Sequence, residues 1–392
     1  GLYVTVIFGL YVYRVTRAPD VVSDFEHAFG RRWENRIDAT LKTHFLPRRS
    51  ILRLPAVSEP KLEQNIVFAT IPGTGRDLLC DVWQPSTQVP RSGLAFIYMH
   101  GSAFYFLDKD FGTRPFFKYL AAQGHVIMDV AYRLFPETNM MGMVQDVKRA
   151  IAWMRENAEQ YGIDPDQIVL GGGSAGAHLA LQAAYTADDT LFTPIELKGK
   201  DLSVNSVISL YGTNDVEAIY YHTNQHLTTR SIPGQPKKAV PTQMPAWLIK
   251  SMGADYVRLG FNKSMENVGT LAPMMGGHPD ECPAAYALFS PVKHVHANCP
   301  PTLLIHGAHD IMAPVRTTKI LFSLLKEKNV PVVMHILPQT DHGFDLLFPQ
   351  IAPTAHTTYY DVERFLALQI KKADARTPEP HKAAAYELPL SS

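Results

Sequence analysis

The sequence predicts an α/β fold: a mostly parallel sheet with helices on both faces and a cap insertion. Three observations predict it. Apolar, β-branched runs recur at 65–70, 77–83, 94–99, 126–131, 167–170, 204–210, 302–306 and 332–337. Helical runs lie between most of the later ones, and strands that alternate with helices make a parallel sheet covered on both sides. A tight turn of small residues, Gly172-Gly173-Ser174-Ala175-Gly176, joins one such strand to a helix.

Residues 1–13 (GLYVTVIFGLYVY) carry no charge, and Arg14 and Arg17 follow. Thirteen helical residues span about 20 Å, short of the roughly 30 Å hydrocarbon core of a bilayer. With Gly1 rather than Met at the start, residues 1–17 read as the end of a truncated membrane anchor, and Tyr and Arg after an apolar run suit a membrane interface. An apolar helix capping the domain and the remainder of a signal sequence are the competing readings. Residues 18–60 read as a polar helical extension ending in Leu46-Pro47-Arg48-Arg49.

The α/β domain then occupies 61–372. Its clearest helix is 143–161, where Val144, Val147, Ile151, Met154, Ala158 and Tyr161 recur at spacings of three and four and make one apolar face. The interval 212–298 breaks the rhythm. It is rich in Pro, Gly, Met, His and aromatics, holds a helical piece at 246–259, and reads as a cap over the strand ends. Residues 373–392 read as a loose tail.

With 392 residues, 46% of them hydrophobic, the chain has enough apolar material for a large single-core α/β domain with an insertion. Lys+Arg and Asp+Glu balance at 37 each, so no basic excess points to nucleic acid. Cys80 reads as a buried strand residue. Cys282 and Cys299 read as free thiols, or as a pair in an oxidising compartment. No C-x-x-C and no His-Glu-x-x-His is present, so no metal site is expected.

The turn at Ser174 carries the chemistry. A Gly-x-Ser-x-Gly between strand and helix is a nucleophile elbow: small flanking residues let the backbone close and leave the serine exposed at the strand end. Gly171-x-Gly173-x-x-Gly176 also fits a dinucleotide fingerprint, which asks for an acid about 20 residues on, at a strand end. Asp188 and Asp189 are near that distance but lie in a polar loop.

A serine needs a base, a group to orient the base, and donors for an oxyanion. Asp310 follows the 302–306 strand and is the candidate acid, against a plain turn or cap role. Asp341 and Asp345 are the other acids near the base, too close to it in sequence for the usual arrangement. His342 follows the last strand and is the candidate base, with His306 and His309 as competitors. The segment His100-Gly101-Ser102-Ala103-Phe104 follows the 94–99 strand, where backbone N–H groups would hold an oxyanion together with that of Ala175. The Ser102 hydroxyl either fills space or adds a donor. His100 reads as a loop anchor, and His178 as a helix residue beneath the elbow. Phe104, Trp247, Met274, Met275 and Phe344 are the expected substrate pocket, the methionines for their adaptability. A bland reading makes the cap residues only a small core of their own.

Taken together, 100–104, 131–137 (AYRLFPE), 161–165 (YGIDP), 172–179, 305–310 and 341–344 resemble the hormone-sensitive-lipase-like α/β-hydrolases, especially their feruloyl-esterase-like and isoprenylcysteine-methylesterase-like branch. The resemblance covers about residues 65–370. It implies an α/β-hydrolase fold of about eight strands, no cofactor, and hydrolysis of a small-molecule ester through an acyl-enzyme on Ser174, with His342 as base and Asp310 as its partner. It gives 131–137 a structural role. Departures are Gly173, where lipase-like members often carry Asp, and Ser102 and Ala103 in place of glycines. An arylformamidase-like amidase and a non-catalytic binding module on the same fold are the alternatives.

Overall fold

In the computed structural model, residues 2–17, 25–228 and 271–370 are described. Eight strands form one sheet in the order β1-β2-β4-β3-β5-β6-β7-β8. They are β1 (Lys61–Ile71), β2 (Arg76–Gln84), β3 (Ala95–Met99), β4 (Val126–Ala131), β5 (Ile168–Gly173), β6 (Ser206–Leu210), β7 (Thr302–Gly307) and β8 (Val332–Leu337). β1 and β2 are antiparallel to their neighbours, and β3 to β8 run parallel. Among the described residues the principal helices are α1 (Leu2–Arg17), α2 (Arg114–Ala121), α3 (Met140–Glu156), α4 (Ala175–Tyr185), α5 (Val216–Thr228), α6 (Val315–Glu327) and α7 (Pro353–Gln369).

The sheet separates two cores. In β3, Ala95, Ile97 and Met99 join the cluster that includes α3 and α4, while Phe96 and Tyr98 join the cluster that includes α2 and α7. This alternation is the two-residue repeat of a strand, and burial on both faces explains why β3 reads as a continuous apolar run. The expected 143–161 helix begins earlier, at Met140, under an Asn139 cap that accepts the Gly142 N–H, and it breaks at Asn157. The AYRLFPE turn is structural here: Arg133 donates to both oxygens of the buried Asp146 at 2.8 and 2.7 Å.

The described part of the 18–60 extension starts at Phe25. Among its described residues only short turns of helix form, at Phe25–Phe29, Trp33–Arg36 and Ala39–Lys42. Residues 46–54 are strapped against α7 and the turn before it. The Leu46 N–H donates to Glu363, Arg49 pairs with Asp361, and the Leu54 N–H donates to the Gln350 carbonyl. Partners more than 290 residues away determine this conformation, which local periodicity does not record. α1 packs beside α7. Among the described residues no helix is long and apolar enough to cross a membrane. Cys80, Cys282 and Cys299 are free. Of the proposed cap, 229–270 lies outside the described residues, with Trp247 and the 246–259 helix in it, as does the 373–392 tail.

Candidate active site

β5 ends at Gly173 and α4 starts at Ala175, so Ser174 takes the whole reversal. Its φ is 55° and its ψ −120°. A non-glycine residue pays about 1–3 kcal/mol for such a conformation and holds it only where its surroundings leave no other. They do so here. A Cβ on Gly172 would lie 2.5 Å from the Met99 carbonyl oxygen, and one on Gly176 only 2.1 Å from it. The two glycines let the elbow sit directly on the end of β3. The Ala175 N–H is one of the donors that a helix start leaves unpaired within the helix.

The loop after β8 brings His342 over this serine. Its Nε2 is 2.8 Å from Ser174 Oγ, and its Nδ1 is 2.7 Å from Asp310 Oδ2. Asp310 arrives from the loop after β7, and its side chain is fully buried. Burial pushes its carboxyl up. Hydrogen bonds from His306 and His342 outweigh that and hold it well below the usual carboxylate range. Oδ1 accepts the N–H groups of Met312 and Ala313. Neither rival acid holds this place: Asp341 accepts the backbone N–H groups of Ile311 and His342, and Asp345 accepts the Tyr211 hydroxyl at 2.6 Å. Of the competing histidines, His309 is exposed, whereas His306 is buried 3.1 Å from Asp310 Oδ2.

One residue near the serine, Tyr211, went unread in the sequence, and a second, Tyr132, was read only as part of the 131–137 turn. Tyr211, at the end of β6 with φ 42°, lays its ring edge-on to His342 at 4.7 Å. A Cβ on Gly173 would lie 2.6 Å from its hydroxyl, so Tyr211 fills the space that a side chain at 173 would need. Tyr132 stacks on His100 at 4.6 Å. Each follows directly after a strand, which was the available signal.

The segment after β3 folds against the elbow, because a Cβ on Gly101 would lie 3.3 Å from Ser174 Cβ. Ala103 and Phe104 both have positive φ, at 46° and 70°. The Tyr132 hydroxyl donates to the His100 carbonyl. The Ser102 hydroxyl lies 2.6 Å from the Tyr132 hydroxyl and accepts the Phe104 N–H, so it is committed to building the loop. Burial lowers the pKa of His100 to about 4, which keeps this anchor neutral. His178 sits beneath the elbow with Nδ1 2.7 Å from the Thr213 carbonyl.

The expected pocket residues divide. Phe344 is largely buried, with its ring 5.0 Å from that of Tyr211. Phe104 is buried edge-on to His178. Met274 and Met275 are buried and belong to the core cluster that includes α3 and α4. An apolar cleft of about 380 Å³ adjoins His342, walled by Phe8 and Tyr11 of α1 and by Leu347, Phe348 and Ile351. The dinucleotide reading lacks its acid: Asp188 and Asp189 lie in a turn, not at a strand end. Among the described residues no cluster of three or more His, Cys, Asp or Glu is placed to hold a metal ion.

Residues 80–325, more than half of the chain, match the BD-FAE family model. The chain belongs to the BD-FAE family. The BD-FAE match includes Ser174 and Asp310 and ends before His342, which only the fold brings to them. The esterase LipQ of Mycobacterium tuberculosis is 28% identical over 303 residues, 76% of this chain and 62% of the relative. The probable carboxylic ester hydrolase LipM of the same organism is 28% identical over 316 residues, 79% of this chain and 62% of the relative. The BD-FAE chain thus spans less than two thirds of the length of these curated relatives. Among solved structures, esterase Est2 of Thermogutta terrifontis with propionate bound superposes with a TM-score of 0.55 at 22% identity, covering 80% of this chain and 95% of that one. That likeness supports the α/β-hydrolase fold.

Proposed function

We propose that this protein is a serine carboxylic-ester hydrolase acting on small-molecule esters through an acyl-enzyme. The observation that carries the reading is the unbroken contact from Ser174 Oγ through His342 to the buried Asp310, on a strained strand-to-helix turn. The esterase names of the relatives support it.

His342 Nε2 takes the Ser174 proton as Oγ attacks the ester carbonyl. The oxyanion is held by backbone N–H groups of Ala175, Ala103 and Ser102. His342 then protonates the departing alcohol, and afterwards activates water to release the acid. Asp310 keeps the Nδ1–H tautomer and stabilises the imidazolium. The same reading takes α1 as a membrane-associating segment, supported by its uncharged apolar run.

The test is a panel of p-nitrophenyl esters from acetate to palmitate beside N-formylkynurenine, with wild type and Ser174→Ala. Ester turnover should fall by roughly 10⁴–10⁶ in the variant, and a fluorophosphonate should label Ser174 alone. Labelling of another serine, retained turnover, or preference for the formyl amide would reject the reading.

A further inference from the structure

The face around the α1 cleft is apolar to an extent that a water-facing surface does not require. Leu347 and Phe348 are 71% and 76% exposed, Ile351 59%, Phe8 58% and Leu52 94%. They form one surface: Phe8, Leu347, Phe348 and Ile351 wall the same cleft, and the Leu54–Gln350 hydrogen bond brings the Leu52 segment beside Ile351. A large contiguous apolar patch on a soluble domain marks an interaction site.

The chemistry of the patch selects its occupant. These five side chains carry no hydrogen-bonding atom, whereas a protein interface supplies about one hydrogen bond per 100–200 Å². Tyr11, on the wall of the same cleft, is an amphipathic aromatic of the kind found at a lipid headgroup level. Arg48 and Arg53, both exposed, flank Leu52. Apolar side chains that insert, with two exposed arginines beside Leu52, match an anionic lipid surface; the one exposed carboxylate of the cleft lining, Asp341, accepts two backbone N–H groups.

We propose that this face docks on a lipid surface containing anionic lipid, with the cleft beside His342 turned toward the bilayer. Phe8 of α1 inserts together with Leu347, Phe348 and Leu52. The orientation of the active site relative to the lipid rests on the ester-hydrolase reading, while the docking does not.

The test is co-sedimentation of the full chain with vesicles of phosphatidylcholine, alone and with phosphatidylglycerol. Binding should strengthen with the anionic lipid, and salt should remove that increment. Leu347→Asp combined with Phe348→Asp should weaken binding at least about tenfold, with the melting temperature unchanged. Phe8→Asp probes the α1 side independently. Wild type that stays in the supernatant overturns the proposal, as does a double variant that binds like wild type. A wild-type dimer that the double variant makes monomeric, without vesicle binding, would assign the face to a second copy and also overturn it. Vesicle binding without ester turnover would leave the docking standing and remove the hydrolase reading.

Discussion

His306 Nε2 lies 3.1 Å from Asp310 Oδ2, the same oxygen that His342 Nδ1 meets at 2.7 Å. The other neighbour of His306 Nε2 is the Ala313 carbonyl, at 3.1 Å. Both neighbours accept, so Nε2 carries a proton and donates. On the far side, His306 Nδ1 meets Thr318 Oγ1 at 2.8 Å, which in turn accepts from Asn214 Nδ2 at 2.7 Å. A buried chain of polar groups thus ends on the carboxylate that orients the proposed base.

Replacing His306 separates position from bulk. A hydrogen bond to a charged group is worth about 1.5–3 kcal/mol. His306→Leu should therefore lower kcat by roughly 10- to 100-fold with KM little changed, whereas His306→Gln, which keeps an N–H near the Nε2 position, should recover most of it. Steady-state kinetics on a soluble ester, with melting temperatures as the control for folding, decides this. Equal losses in both variants would reduce His306 to a packing role.

Asp310→Asn should lower kcat on the order of 10²–10⁴, while Asp345→Asn, which only loosens Tyr211, should cost far less. The variant also has a stability signature. Because the folded state holds the Asp310 carboxyl below its ordinary value of 3.8, its contribution is complete above that pH and fades as pH falls below it. The melting-temperature gap between wild type and Asp310→Asn should be full at neutral pH and narrow below about 3.8. A constant gap down to strong acid would contradict the assignment.

Met274 and Met275 test the cap. Both are buried in the main core, so Met→Ala at either should cost about 2–5 kcal/mol of stability. Urea unfolding of the single variants, beside their acyl-chain preference, distinguishes the roles. A changed chain-length preference at unchanged stability would return these side chains to the substrate pocket.

His178 should impose an acid limit on stability. Burial lowers its pKa from 6.5 to about 4, so its neutral form stabilises the fold fully above 6.5, and that contribution is lost as pH falls toward 4. His178→Leu should be less stable at pH 7, since it loses the Thr213 bond. Its stability should also fall less steeply between these limits, by up to about 1.4 kcal/mol per pH unit. Urea midpoints across this range give the slope, and parallel slopes for the two proteins would count against the prediction.

The sequence by itself determined the strands and the elbow. Strands buried on both faces leave apolar runs, as in β3, and a turn pressed onto the Met99 carbonyl admits only small residues at 172 and 176, so both are written locally. The order Ser174, Asp310, His342 was legible as three residues in loops after strands. That Asp310 rather than Asp341 or Asp345 meets the imidazole was decided only when the β7 and β8 loops came together across 32 residues of chain. The same holds for Tyr211 and His306, whose places beside the site depend on neighbours from other strands and helices. It holds for residues 46–49, which α7 straps into place, and for Met274 and Met275, which are buried in the core. Local periodicity records what one element needs for its own burial; which side chains meet across elements is a property of the packed sheet alone.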